Sequence, residues 1–351
     1  MMNLRHFFCS LIVCMSSVVL SSCDHRVLTD PMNVHYVRVY LEEDIKNVNC
    51  GFYNESYEHP VFHTPTNIRA CLSDVNTGDV VYEGLLRNRG SDERGNYLDG
   101  YVGAPAGDYN MIMYQLGSSI TQIKCPNSYL DMMAYTHPVS DRILNYLPQT
   151  SKGVEREKIL EEPEHLLASR CEGVRVKHSM EVDTLKAPNG DYFEASTIAK
   201  SYYLQLRIIG VEWVKAAAAL LSGMSGSSRI CEEDGLVEDD PIHLFFSMNY
   251  ADKKKRSGEE ASTAILYTTF TTFGKIPDLK SELILSFEFT KQDGSTQVER
   301  IDITEAFKTP LAMDKQWILL DEEITIVKPD GTGGMNPGVE GWKDEDADLP
   351  M

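Results

Sequence analysis

The chain lacks the short motifs that mark common chemistries. It has no HExxH pair, no Walker A loop and no Rossmann glycine fingerprint after a strand. The usual frameworks for a zinc protease, a triphosphate cradle and a dinucleotide site are therefore missing. Positive charge is scarce: 33 Lys and Arg face 53 Asp and Glu, a formal net charge of −20. Such a surface repels phosphate backbones, which argues against nucleic acid as a partner. It also disfavours anionic lipid headgroups. The eight cysteines include no CxxC pair, so closely spaced zinc ligands are absent. The apolar stretch from Phe7 to Leu20 is shorter than the roughly 20 residues a bilayer-spanning helix needs. Disorder is excluded for the bulk of the chain, because hydrophobic residues make up 42% and charged residues 25%.

What the N-terminus does contain is informative. Arg5, the apolar stretch and Leu20-Ser21-Ser22 ahead of Cys23 form a basic, apolar and small-residue series typical of a secretory signal. A cysteine directly after the small residues resembles a bacterial lipoprotein signal. In that class the chain is cut before the cysteine, and both thiol and new amine are acylated. Residues 1–22 are then a signal peptide, and Cys23 is the lipid attachment point. Two or more acyl chains give firm anchoring, where one holds weakly. Without Cys9, Cys14 and Cys23, the cysteines left are Cys50, Cys71, Cys125, Cys171 and Cys231. An odd number cannot all pair within one chain, and no pairing follows from the sequence.

Residues 23–33 read as a polar tether. From residue 34 short apolar runs alternate with turn residues. Val37, Val39 and Leu41 share one face of a strand, with Tyr36 and Tyr40 on the other. Further strands are expected at 68–72, 79–86, 97–102 and 109–114, giving an N-terminal β-sandwich over 34–145. Residues 146–170 read as an inter-domain crossing with a short helical stretch at 154–160. A C-terminal β-sandwich is expected over 171–330, with about seven strands. The runs that read as strands there are 173–176, 179–185, 202–209, 242–250, 263–273, 283–289, 296–303 and 317–327. Gln292-Asp293-Gly294-Ser295 between two apolar runs is a hairpin signal. Ala216-Ala217-Ala218-Ala219 followed by Gly223 predicts one helix over 211–221, ended by the glycine. The fold class is thus all-β: two antiparallel sandwiches with one short helix in the second. Residues 331–351 form an acidic Gly- and Pro-rich tail, too poor in apolar surface to fold alone.

Chemistry-bearing candidates are weak. Gly223-Met224-Ser225-Gly226-Ser227 has serine where a nucleophile elbow requires glycine, and it reads as a helix stop and loop. His59 and His63 are separated by Pro60, which forbids an ordinary helix placing both on one face. Glu232-Glu233-Asp234 and Glu238-Asp239-Asp240 lack EF-hand spacing and read as a solvated loop. Asp252-Lys253-Lys254-Lys255-Arg256 reads as a solvated hairpin loop. No residue stands out as catalytic, metal-ligating or cofactor-binding, and none of these roles is assigned.

Three features carry a family resemblance. One is the lipoprotein cysteine followed closely by a strand. A second is Tyr101-Val102-Gly103-Ala104-Pro105-Ala106-Gly107-Asp108-Tyr109-Asn110. The third is the run 214–227 together with Asn336-Pro337-Gly338-Val339-Glu340-Gly341-Trp342. Together they make the mature chain resemble the FimB-like fimbrial anchor and accessory lipoproteins of Bacteroidales type V pili. That resemblance implies two transthyretin-like sandwiches, no catalysis, and a structural role in a surface fimbrium at the outer membrane. It implies other fimbrial subunits as partners, with membrane contact through the N-terminal lipid. It also implies assembly by strand donation between subunits. Strand addition fits the physics, since an unpaired sheet edge beside an apolar groove is completed by an extended segment. Met335, Val339 and Trp342 are the candidate donor or docking residues of the tail, and the strand expected at 318–327 is the other candidate. Anchor and accessory roles both remain open. A second reading is a surface glycan-binding lipoprotein of an outer-membrane uptake system, for which two or three exposed coplanar aromatics would be diagnostic. A hydrolase on a β-scaffold would need convergent carboxylates or a nucleophile–base pair.

Overall fold

The structure, a computed structural model, describes residues 33–42, 65–116, 120–145, 147, 149–179, 181–231, 240–254, 261–276 and 283–329. The first half contains β1 (Asn33–Leu41), β2 (Ile68–Asp74), β3 (Val80–Asp92), β4 (Gly95–Ala104), β5 (Gly107–Gln115), β6 (Thr121–Lys124) and β7 (Met133–Thr136). After α1 (Asp141–Leu144) come β8 (Ile159–Glu161), β9 (Leu166–Val176), β10 (Asp183–Thr184), β11 (Phe193–Ile209), β12 (Val214–Ser225) and β13 (Ser227–Arg229). The rest are β14 (Pro241–Ser247), β15 (Asn249–Lys254), β16 (Thr263–Thr272), β17 (Ile284–Lys291), β18 (Thr296–Asp302), α2 (Pro310–Lys315) and β19 (Trp317–Thr325). The chain is all-β with sandwich-like sheets, as the sequence indicates.

The first sheet closes on itself. β1 pairs with β4, and the order continues through β3, β2, β5 and β9 to β11. β11 returns to β1 through a short parallel stretch, residues 39–41 against 193–195. Closure leaves few exposed edges. Alternation along each strand sends Val37, Ile68, Leu98, Met111, Leu167 and Phe193 into a common interior.

β11 then runs on into a second unit. There it lies between β16 and β19, with β15 at the far edge. This sheet faces another of order β18-β17-β12-β14-β8. Leu204, Leu206 and Ile208 from β11 meet Leu221, Phe246, Phe287 and Phe289 from the facing sheet. A small sheet of β13, β7 and β6 and its β6–β7 connection pack Ala134, Tyr129 and Met132 onto Cys71, Ile112 and Tyr114, on the outer face of the closed sheet.

Several expectations need correction. The helix expected over 211–221 is a single 3-10 turn, Val211–Trp213, followed by strand β12. Gly223, at φ 80°, sits where the β12–β14 register shifts between Ser222 and Met224. It forms a β-bulge rather than a helix stop, and 223–225 and 227 belong to strands, with a bend only at Gly226. The short helix of the second unit is instead α2, whose Thr309 side chain accepts from the Ala312 N–H with proline at the start. The basic run is not a loop through 254, because β15 extends to Lys254. The second unit has nine strands in two facing sheets among the described residues, against about seven expected. Six of the expected strands fall in it; β8, β15 and β12 make up the nine, while 173–176 and 183–184 belong to the closed sheet.

Other features match. A 3-10 turn at Arg156–Lys158 occupies the short helical stretch expected in the crossing. The hairpin at Gln292–Ser295 joins β17 to β18, with Thr290 opposite Thr296 and Gly294 at φ 83°. By contrast, 166–176 and 193–199 hydrogen-bond with the strands of the closed sheet, not within the second sandwich expected to begin at 171. β8 pairs with β14 in the second unit.

Candidate functional site

The residues singled out from the sequence, Cys23, Met335, Val339 and Trp342, lie outside the described residues. So do Cys50, His59, His63 and most of the acidic loop. The structure does show where their neighbours lie. β1 begins at Asn33, ten residues after Cys23, and β19 ends at Thr325, ten residues before Met335.

β19, the candidate docking strand, pairs with β11 alone among the described strands. Among the described residues no second strand pairs along its other edge, the side to which strand addition would come. The edge is not flat. Gln205 stands opposite Leu319 and Arg207 opposite Glu323, so β19 bulges between them. Asp321, Glu322 and Glu323 are exposed along this stretch. Bulges and charges are the devices that limit indiscriminate edge pairing. Beyond the bulge, Gln297 donates to the Thr325 carbonyl at 2.9 Å and accepts from the Val327 N–H at 2.9 Å. Lys291 Nζ reaches the Val327 carbonyl at 2.9 Å. The end of the strand is thus fastened across the sandwich by side chains.

A second surface lies on the outer face of β1. Tyr36, Arg38 and Tyr40 alternate with the buried valines and meet Tyr97, Asp99 and Tyr101 of β4. Arg38 stacks on Tyr97 at 3.8 Å and donates to Asp92 at 3.2 Å. Tyr36 donates to Asp99 at 2.6 Å, and Tyr40 to Asp92 at 2.8 Å. Burial, and then the Asp99 carboxylate accepting its proton, push Tyr36 up to about 12. Burial works against the Arg38 charge, but the Tyr40 and Tyr36 oxygens outweigh it and keep the guanidinium ionised. The outward Tyr36 and Tyr40 were legible in the sequence. Their long-range acidic partners were not. The rings meet edge to face, Tyr36–Tyr101 at 68° and Tyr40–Tyr97 at 67°. Arg38 occupies the Tyr97 face. This is a cross-braced surface rather than the coplanar stacking platform diagnostic of sugar binding.

A cleft of about 430 Å³ opens where β11 leaves β9, lined by Tyr129, Ser169, Cys171, Glu172, Glu194 and Cys231. Burial, and then Glu172, raise both the Tyr129 phenol, to about 12, and the Cys171 thiol. A raised thiol is the opposite of the depressed one that nucleophilic cysteines use. Ser227 of the imperfect elbow is buried, and its hydroxyl has no partner among the described residues. No group of three or more His, Cys, Asp or Glu among the described residues could hold a metal ion.

Comparison with known proteins gives the context. A family profile described as "Domain of unknown function (DUF5119)" matches residues 87–246. A curated protein of Bacteroides ovatus, provisionally named fimbrium anchoring subunit Fim4B, is 24% identical over 100% of both chains. Among solved structures, a provisionally named adhesin from Bacteroides ovatus superposes with a TM-score of 0.51 at 19% identity, covering 85% of this chain and 94% of its own. That likeness speaks to the fold alone. The fimbrial anchor protein Mfa2 from Porphyromonas gingivalis covers 83% of this chain and 90% of its own, at 14% identity and a TM-score of 0.45. The resemblance to fimbrial anchor and accessory proteins of Bacteroidales, first drawn from short sequence motifs, therefore extends over the full length of this chain.

Proposed function

We propose that this chain is a non-enzymatic, lipid-anchored structural subunit of a cell-surface fimbrium, held at the outer membrane through Cys23. The observation that carries this reading is the end-to-end similarity to a protein named as a fimbrium anchoring subunit. The lipoprotein-like series ending at Cys23 supports the anchor. Other fimbrial subunits are the partners, and assembly is by strand donation. Met335, Val339 and Trp342 of the 331–351 tail are the donor or docking residues, or else the last strand, 318–327, engages the neighbouring subunit.

Replacing Cys23 with serine tests the anchor. The variant is expected to be released as a folded, soluble protein, with filaments shed into the medium. Filaments that stay on the cell would refute the anchor role. Deleting 331–351 separates the two docking routes: assembly is lost if the tail is the donor and is unchanged if the last strand serves instead.

A further inference from the structure

The strand directions carry a mechanical consequence. β1 runs parallel to β11 over residues 39–41 against 193–195. β11 continues in the same direction into the second unit, where β19 runs parallel to it as far as Thr325 opposite Ile209. The start of β1 and the end of β19 therefore point to opposite poles. Six residue steps separate Asn33 from Val39, and sixteen separate Phe193 from Ile209. At roughly 3.3 Å per step the strand path between the two ends is about 70 Å long.

We propose that this chain is a load-bearing link in which tension enters along β1, crosses to β11 and leaves along β19, with both strand interfaces loaded in shear. Pulling Asn33 and Thr325 apart slides β1 and β19 along their neighbours, so the pairs of each interface resist together. β1 has eight register pairs with β4 and three with β11, and β19 has six with β11. Side chains also tie β1 to the β3–β4 hairpin: Arg38 to Asp92, Tyr40 to Asp92 and Tyr36 to Asp99. The end of β19 is tied to the facing sheet by Gln297 of β18 and Lys291 of β17.

The opposite geometry is available in the same molecule. β1 and β4 are antiparallel, and Asn33 stands opposite Ala104. Pulling the N-terminus against the turn at Ala106 therefore peels β1 away one pair at a time, starting from that end.

The source of the load rests on the proposed anchor role, whereas the resistance itself rests on the fold. The test is single-molecule force spectroscopy on the full mature chain, with clickable handles at Asp24 and Lys328 or at Asp24 and Ala106. Circular dichroism of both labelled proteins confirms that each is folded before pulling. The axial pair is expected to unfold at several-fold higher force than the peeling pair. Equal forces, or a weaker axial direction, would overturn the proposal. Axial resistance in a protein whose Cys23→Ser form leaves filaments on the cell would keep the mechanical inference and remove the anchor reading.

Discussion

Glu162 offers a sharp test of the packing between the two units. It lies between β8 and β9 and accepts from the Thr271 N–H of β16 at 3.0 Å. Although the residue keeps some contact with solvent, burial raises its carboxyl to about 7, and the Thr271 N–H offsets only part of that rise. For an acid whose folded value is raised, the folded state holds the proton more tightly than the unfolded chain. Stability therefore falls as pH rises from about 4.5 towards 7 and levels off above that. The interval from 4.5 to about 7, at about 1.4 kcal/mol per pH unit, corresponds to roughly 3 kcal/mol at pH 8. Residual solvent contact lowers this to about 2 kcal/mol. Glu162→Gln keeps an oxygen for Thr271 and removes the ionisation. The variant is expected to equal the parent near pH 4 and to exceed it by about 2 kcal/mol at pH 8. Urea unfolding of both proteins from pH 4 to 8 measures the difference, and background titrations cancel in it. Asp74, Asp92 and Asp108, held low by hydrogen bonds or an ion pair, are common to both proteins. A difference that does not change with pH, or a variant weaker at pH 8, would refute the reasoning.

Three further perturbations bear on other parts of the fold. Gly210 has φ 82°, and an added Cβ would lie 2.7 Å from the Trp213 ring and 2.9 Å from the Ile326 carbonyl. Gly210→Ala is expected to cost about 1–3 kcal/mol or more, read as a lower melting temperature. Gln205 is fully buried, with neither amide atom partnered. Gln205→Leu removes that penalty and is expected to stabilise by about 1–2 kcal/mol, read as a higher urea midpoint. Arg38→Ala removes both the stack on Tyr97 and the contact to Asp92. It is expected to cost about 1 kcal/mol and to speed amide exchange in the β3–β4 hairpin.

The strands that alternate cleanly were readable because one face is buried and the other is not. β1 shows this: Val37 and Val39 face the interior, while Tyr36 and Arg38 lie outward and only partly buried. The β17–β18 hairpin was readable because Asp293-Gly294 supplies the turn chemistry locally. β12 failed for a physical reason. It lies between β14 and β17, and both its faces are covered. Ala219 and Leu221 belong to the inner core, while Ala218 and Leu220 pack under Val139, Leu147 and Ile159. A strand buried on both faces shows no alternation, and an apolar run rich in alanine then reads as a helix. Alanine's helix preference is a weak bias beside two flanking ladders of hydrogen bonds.

The same distinction explains what could be read of the site. The proposed lipid position rests on contiguous residues ending at Cys23, a local pattern that sequence can carry by itself. The polarity of the molecule is not. It depends on β1 meeting β11 and on β11 meeting β19, contacts between residues more than 100 positions apart with no local signal. Arg38 shows the limit at one residue. In sequence it is one arginine in an alternating strand. In the fold it joins Asp92 and Tyr97 from the β3–β4 hairpin to the N-terminal strand. If tension does enter along β1, that crossing is where the strand is held, and Arg38→Ala is expected to lower the axial unfolding force more than the peeling force. Equal loss in both directions would show that Arg38 contributes to general stability and not to the line of load.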